Sequence, residues 1–231
     1  MHAALNRWLH SPDEGIRLVG YGSSNTEETW HNLGRWSWFS WLAACLRAQV
    51  GRHLSTVNSG ISGETTTDLL GRFDRDVAPL RPSLVLVTIG GNDQQRLPLS
   101  TFIANLEHLI ERTRAIGSGV ALQTYYCPTF VGADLDRFSQ FMDAMVSVGE
   151  RTKATVIHQF PGFRAWYDAD PDAYREIMLD PMHLNPLGHA LFGIHAARGF
   201  GLADPPLPPD SAAAIREGLA ALSRALASTP R

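Results

Sequence analysis

The feature that most constrains this chain is a rhythm: short apolar runs alternate with segments whose apolar residues recur every three to four positions. That change of period marks repeated βαβ units, and such units close into a mainly parallel α/β sheet covered by helices. The runs Ile16 to Tyr21, Leu54 to Asn58, Leu84 to Ile89, Val120 to Tyr125 and Thr155 to His158 read as five strands. They are short and apolar, as expected of strands covered on both faces. The intervening helices carry Trp38, Trp41, Leu42 and Cys45; Thr66 to Phe73; Phe102, Ile103, Leu106 and Ile110; Leu135 to Val148; and Pro186 to Ala197. No internal repeat is present.

These elements form one domain over residues 1–204. The stretch Asp204-Pro-Pro-Leu-Pro-Pro-Asp210 then breaks regular structure, and residues 205–231 comprise this connection and a last helix, capped by Asp210 or Ser211. Ile215, Leu219, Leu222 and Leu226 share one face of that helix, which requires an apolar docking surface on the same domain or on a partner subunit. Docking on its own domain is the favoured reading.

Composition removes several function classes. Hydrophobic residues at 44% and charged residues at 19% of 231 suit a soluble globular domain. A formal net charge of -3 without a Lys/Arg run argues against a nucleic-acid partner. The first residues lack an apolar core with a small-residue cleavage site, which points to the cytoplasm, and no run is long enough for membrane insertion. Cys45 and Cys127 are too far apart in sequence for a C-x-x-C site and read as buried free thiols.

The chemistry-bearing residues gather where the strands end. The first strand runs into Gly20-Tyr-Gly-Ser-Ser-Asn-Thr26, placing Ser24 at the sheet edge where ligands bind in parallel α/β proteins. A serine leading into a helix there would also offer its backbone N–H to a developing negative charge. Read alone, Ser24 is equally an ordinary N-cap. After the second strand comes Asn58-Ser-Gly-Ile-Ser-Gly-Glu-Thr-Thr-Thr67, where Gly63 is a candidate backbone donor or simply a turn glycine. The third strand ends in Gly90-Gly-Asn-Asp93, bringing the Asn92 amide to the same edge.

Near the end, Asp180-Pro-Met-His183 spaces a carboxylate and an imidazole three apart, on one side of any helical turn. The acid can then hold Nδ1–H while Nε2 faces a serine hydroxyl. Asp180 before Pro181 also reads as a helix N-cap. His189 and His195 read as packing or capping histidines.

These four segments resemble, in order, the blocks of the SGNH hydrolases, also called GDSL esterases and lipases, over about Arg17 to Phe200. The resemblance implies a flavodoxin-like three-layer α/β/α sandwich and an ester hydrolase that needs no cofactor or metal. It implies Ser24 as nucleophile, His183 as base, Asp180 as its partner, and an oxyanion hole of the Ser24 and Gly63 N–H groups with the Asn92 side chain. The family's usual Gly-Asp-Ser reads Gly22-Ser23-Ser24 here, so Ser23 cannot supply the carboxylate that normally helps fix the loop. Ser23 is also an alternative nucleophile, which its register against Gly22 disfavours.

A dinucleotide oxidoreductase is the rival enzyme, since Gly20-x-Gly22-x-x-Asn25 approaches a dinucleotide fingerprint; Asn25 stands where a glycine is needed, and no acid closes the second strand. A binding protein on the same scaffold is the rival from another class. No G-x-S-x-G elbow supports an α/β-hydrolase. For substrate contacts, Trp30, Arg35 and Tyr126 are the candidates, while Trp38 and Trp41 read as core. The expected partner is a small-molecule ester, with acyl chain, alcohol and oligomeric state left open.

Overall fold

The computed structural model describes residues 7–11, 13–28 and 30–228. Five strands form a parallel sheet: β1 (Ile16–Gly22), β2 (Leu54–Gly60), β3 (Leu84–Thr88), β4 (Gly119–Gln123) and β5 (Thr155–Ile157), in the order β2-β1-β3-β4-β5. The helices are α1 (Trp38–Val50), α2 (Thr66–Asp76), α3 (Asp93–Arg96), α4 (Leu99–Ala115), α5 (Ala133–Thr152), α6 (Phe160–Ala169), α7 (Pro171–Arg175), α8 (Pro186–Gly199) and α9 (Ala212–Ser228).

The chain leaves β1 for β2 on one side and then crosses to β3 on the other. Because parallel crossovers share one hand, this reversal puts α1 on one face and α2, α4 and α5 on the opposite face. The packing agrees: α1 lies against α8, while α2, α4 and α5 pack in series. The result is a three-layer α/β/α sandwich. The residues of β3 and all but Arg17 of β1 are buried, which is why these strands read as continuous apolar runs.

Three short or interrupted helices escape the periodicity argument. α3 has only four residues, and α6 and α7 each carry a proline in the first turn. α9 packs on α6 and α8, with Ile215, Leu219 and Leu222 buried and Gly218 admitting Leu191. Leu226 departs from the face expected of it: it is 42% exposed, resting over Gly162, while Ala225 takes the buried position. No helix among the described residues is long and apolar enough to cross a membrane.

Gly22 shows how tightly the sheet edge is drawn. A Cβ there would stand 2.4 Å from the Thr88 carbonyl and 2.5 Å from Thr26 Oγ1, closer than any real contact. Gly22→Ala therefore has to push β1 away from β3 or unwind the turn carrying Ser24. It is expected to cost about 1–3 kcal/mol of stability, as overpacking does. Urea unfolding checks this, and an unchanged midpoint would show that the edge yields freely.

Candidate active site

The turn after β1 is closed by the Thr26 and Glu27 N–H groups, which donate to the Ser23 carbonyl at 2.9 and 3.0 Å. It does not continue into a helix, contrary to the expectation for Ser24. α1 starts only at Trp38, capped by Ser37. The Ser24 N–H is not one of the donors that close the turn.

Ser24 Oγ lies 3.0 Å from His183 Nε2, and His183 Nδ1 lies 2.7 Å from Asp180 Oδ2. Asp180 Oδ1 accepts the N–H groups of Met182 at 2.7 Å and His183 at 2.8 Å. Burial pushes the Asp180 carboxyl up, but these backbone bonds and the His183 ring outweigh it and hold the group below its ordinary range. An ionised Asp180 fixes the proton of His183 on Nδ1 and turns the Nε2 lone pair toward Ser24.

The segment 180–183 is not helical, and Asp180 is not the cap of α8. The chain makes a tight bend, with the Leu179 N–H donating to the His183 carbonyl at 2.7 Å and an antiparallel bridge joining Met178 to Leu184. Asn185 caps α8 by accepting the Gly188 N–H at 3.0 Å. The three-residue spacing thus works through a bend, in which a carboxylate can bond the backbone just ahead of it as well as the ring.

Gly63 adopts φ +80°, a conformation that favours glycine. Asn92 Nδ2 donates to the Glu64 carbonyl at 2.8 Å, so the two segments expected to hold an oxyanion are joined directly. One hydrogen of that amide is used and the other is available to a ligand. Neighbouring bonds draw the first two loops together: the Ile61 N–H donates to the Gly22 carbonyl and Asn58 Nδ2 to the Thr26 carbonyl.

Three residues support the site in roles that the sequence did not reveal. Ser23 is fully buried and its Oγ meets the Tyr125 hydroxyl at 3.1 Å, which removes it from contention as an exposed nucleophile. Tyr126, expected on a pocket wall, is buried too: its hydroxyl reaches Asn25 Oδ1 at 2.5 Å and also the Met182 carbonyl. The two tyrosines leaving β4 therefore pin the residues on either side of Ser24, and Tyr126 ties that loop to the one bearing His183. Arg72 is the third support. It is buried, stacks over Tyr21 at 4.4 Å, and bonds Glu64 Oε2 at 2.6 Å, Asp76 Oδ2 at 3.0 Å and the carbonyls of Gly22 and Ser59. Only its place on α2 between Leu69 and Phe73 hinted at burial.

Of the other substrate candidates, Arg35 borders a cleft of about 610 Å³ with Trp36, Trp41, Leu187, Pro208 and Ile215, and pairs with Asp210 across 3.8 Å. Trp36 is 54% exposed; Trp38 is core, and Trp41 serves both core and cleft. The backbone of Trp30 belongs to a 3₁₀ turn, Trp30–Asn32, but its side chain lies outside the described residues. Cys127 is buried, and burial pushes its thiol up to about 12, which leaves it unreactive.

His189 accepts the Trp38 N–H on Nδ1 at 3.2 Å, capping α1 from α8. His195 Nδ1 lies 2.7 Å from Gln159 Oε1. Burial pushes the two imidazoles down from 6.5 to about 3 and about 4. Both are neutral in the folded chain and take up protons only on unfolding, so stability is lost as pH falls below 6.5 toward those values. By pH 5 each contributes a loss of roughly 2 kcal/mol relative to neutral pH. Urea unfolding at the two pH values is expected to show this fall, and equal stabilities would mean that the two rings are protonated in the native state.

The profile of the GDSL-like lipase/acylhydrolase family matches residues 21–191. An acetylxylan esterase of Geobacillus stearothermophilus is 26% identical over 162 residues, 58% of this chain and 73% of that protein. An uncharacterised lipoprotein of Bacillus subtilis is 26% identical over 168 residues, 69% of this chain and 65% of its own length. In structure, an acetylxylan esterase of Geobacillus stearothermophilus superposes with TM-score 0.71 at 21% identity, covering 84% of this chain and 98% of the other, a likeness of fold.

Proposed function

The chain belongs to the GDSL-like lipase/acylhydrolase family, and on that premise we propose that it is a carboxylic ester hydrolase working through Ser24, His183 and Asp180. The observation that carries this reading is the unbroken line from Ser24 Oγ through both nitrogens of His183 to Asp180, at 3.0 and 2.7 Å.

In the mechanism, Ser24 Oγ attacks the ester carbonyl carbon as its proton passes to His183 Nε2. The carbonyl electron pair moves onto oxygen, held by the Ser24 and Gly63 N–H groups and the free hydrogen of the Asn92 amide. Collapse of this intermediate breaks the bond to the alcohol, which leaves with the proton from His183. Water then repeats the sequence on the acyl-enzyme, releasing the acid and restoring Ser24. Asp180 stays ionised throughout and stabilises the imidazolium.

Short acyl esters, including acetyl esters of carbohydrates, are the proposed substrates. Likeness to an acetylxylan esterase supports this, as does the cleft bordered by Trp36, whose exposed indole offers a flat surface to a ring. Ser24, His183 and Asp180 do not line that cleft themselves; Pro186 and Leu187, which do, follow His183 by three and four residues.

Hydrolysis of p-nitrophenyl acetate, butyrate and octanoate is expected in the wild type and lost in Ser24→Ala, with a fluorophosphonate probe labelling only the former. Ser23→Ala, which removes only the Tyr125 bond that helps hold the loop, should remain active at a reduced rate. Asn92→Ala should lower kcat about a hundredfold or more, as loss of an oxyanion donor does. Activity surviving in Ser24→Ala would overturn the assignment, and a wild type inert to both esters and probe would favour a binding protein.

A further inference from the structure

A second histidine lies against the triad. The ring of His31 stacks on that of His183, with centroids 4.3 Å apart and planes inclined by 25°. His31 is 5% exposed, in the 3₁₀ turn Trp30–Asn32. This turn is held from α8, because the Asn32 amide meets His189 Nε2 at 3.4 Å while Nδ1 of the same ring caps α1. The stack is thus anchored on both sides: His183 by Asp180, and His31 by a turn tied to the framework.

A triad imidazole needs such a surface. Its bonds to Asp180 and Ser24 leave through Nδ1 and Nε2 and fix a line across the ring. Rotation about the Cβ–Cγ bond tilts the ring and swings Nε2 out of the direction of the serine proton. A flat group against one face removes this freedom. It also meets the charge of the reaction, since an aromatic face attracts a cation lying on it.

We propose that His31 is a positioning residue for the ester hydrolysis described above: its ring sets the plane of His183 and stabilises the imidazolium that forms when His183 takes the Ser24 proton. The inference rests on the triad reading. Among the described residues, titratable groups that face His31 include His183 and Asp180, from the bend before α8, and His189, from α8 itself. Burial first, and then the charge of His183, push the His31 imidazole below its ordinary value, against a smaller opposing pull from Asp180. At neutral pH the ring is therefore uncharged and favours a cationic His183. In acid a proton on His31 would oppose one on His183.

The test compares His31→Ala, His31→Gln and His31→Phe with wild type and Ser24→Ala, by steady-state kinetics across pH, rate of fluorophosphonate labelling, circular dichroism and urea midpoint. Ala and Gln are expected to lower kcat and the labelling rate roughly tenfold or more with little change in KM, as misplaced catalytic groups do. Phe keeps the flat face and should stay within about threefold of wild type, a rescue that a requirement for hydrogen bonding would not permit. With no second proton to bind, its acid limb should fall with a single-proton slope where that of the wild type is steeper. If His31→Ala does not fold, the contrast of Phe with Gln decides. Wild-type kcat in Ala or Gln, or a Phe variant as poor as Gln, would overturn the proposal. Activity in Ser24→Ala would instead bring down the triad reading itself.

Discussion

The site depends on one topological constraint, the reversal of strand order between β1 and β3. Where a doubly wound sheet changes direction, the loops leaving the two adjacent strands turn toward opposite faces, and a crevice opens between their carboxyl ends. β1 delivers Ser24 to that crevice and β3 delivers Asn92. The neighbouring ends add the Gly63 loop from β2 and the two tyrosines from β4. The bend of Asp180 to His183 comes from outside the sheet, just before α8. That helix can present it there because it packs with α1 on the face where the Ser24 loop turns.

Geometry at the edge is then fixed by buried polar groups, and these hold the Ser24 loop where Ser23 replaces the family's usual carboxylate. With Ser23 meeting the Tyr125 hydroxyl and Asn25 the Tyr126 hydroxyl, the residues on either side of Ser24 are both tied to rings in the core. Arg72 does the corresponding work for β1 and β2, gathering the carbonyls of Gly22 and Ser59 and the Glu64 carboxylate. Asp93 fixes the β3 loop by accepting the Thr66 N–H and hydroxyl at 2.8 and 2.6 Å. Networks of this kind hold their members to one arrangement, because any bond lost inside the protein leaves a costly unpaired group.

The central strands β1, β3 and β4 were legible in the sequence because both faces are covered and each declares itself as an apolar run, whereas the edge strands β2 and β5 are only partly buried. Ser24, Gly63 and Asn92 stood out because strand ends concentrate polar residues at one edge, and Asp180 and His183 because a carboxylate and an imidazole stand three apart. The local conformation around them was not legible. Serine and aspartate favour helix caps and isolated bends for the same reason, a side-chain oxygen that bonds nearby N–H groups, and their sequence does not tell the two apart. Tyr126 was misplaced because an aromatic residue at a strand exit suits a pocket wall and a core strut equally. Arg72 and His31 were missed because their partners, Glu64 and Gly22 for one and His183 for the other, come together only through tertiary packing.

His31, His183 and His189 place one side-chain type in three environments within a short span of structure. His189 is deepest, accepts a backbone N–H, and is pushed down to about 3, so it serves as a neutral cap. His31 is covered by the turn that carries it and is pushed down as well. His183 differs in having the ionised Asp180 bonded at Nδ1. Burial disfavours a proton on His31 and on His189, so in the proposed mechanism the proton leaving Ser24 stays on the ring bonded to Asp180. The surrounding histidines thus restrict the charge to the ring that reacts, and the stack transmits that restriction through direct contact.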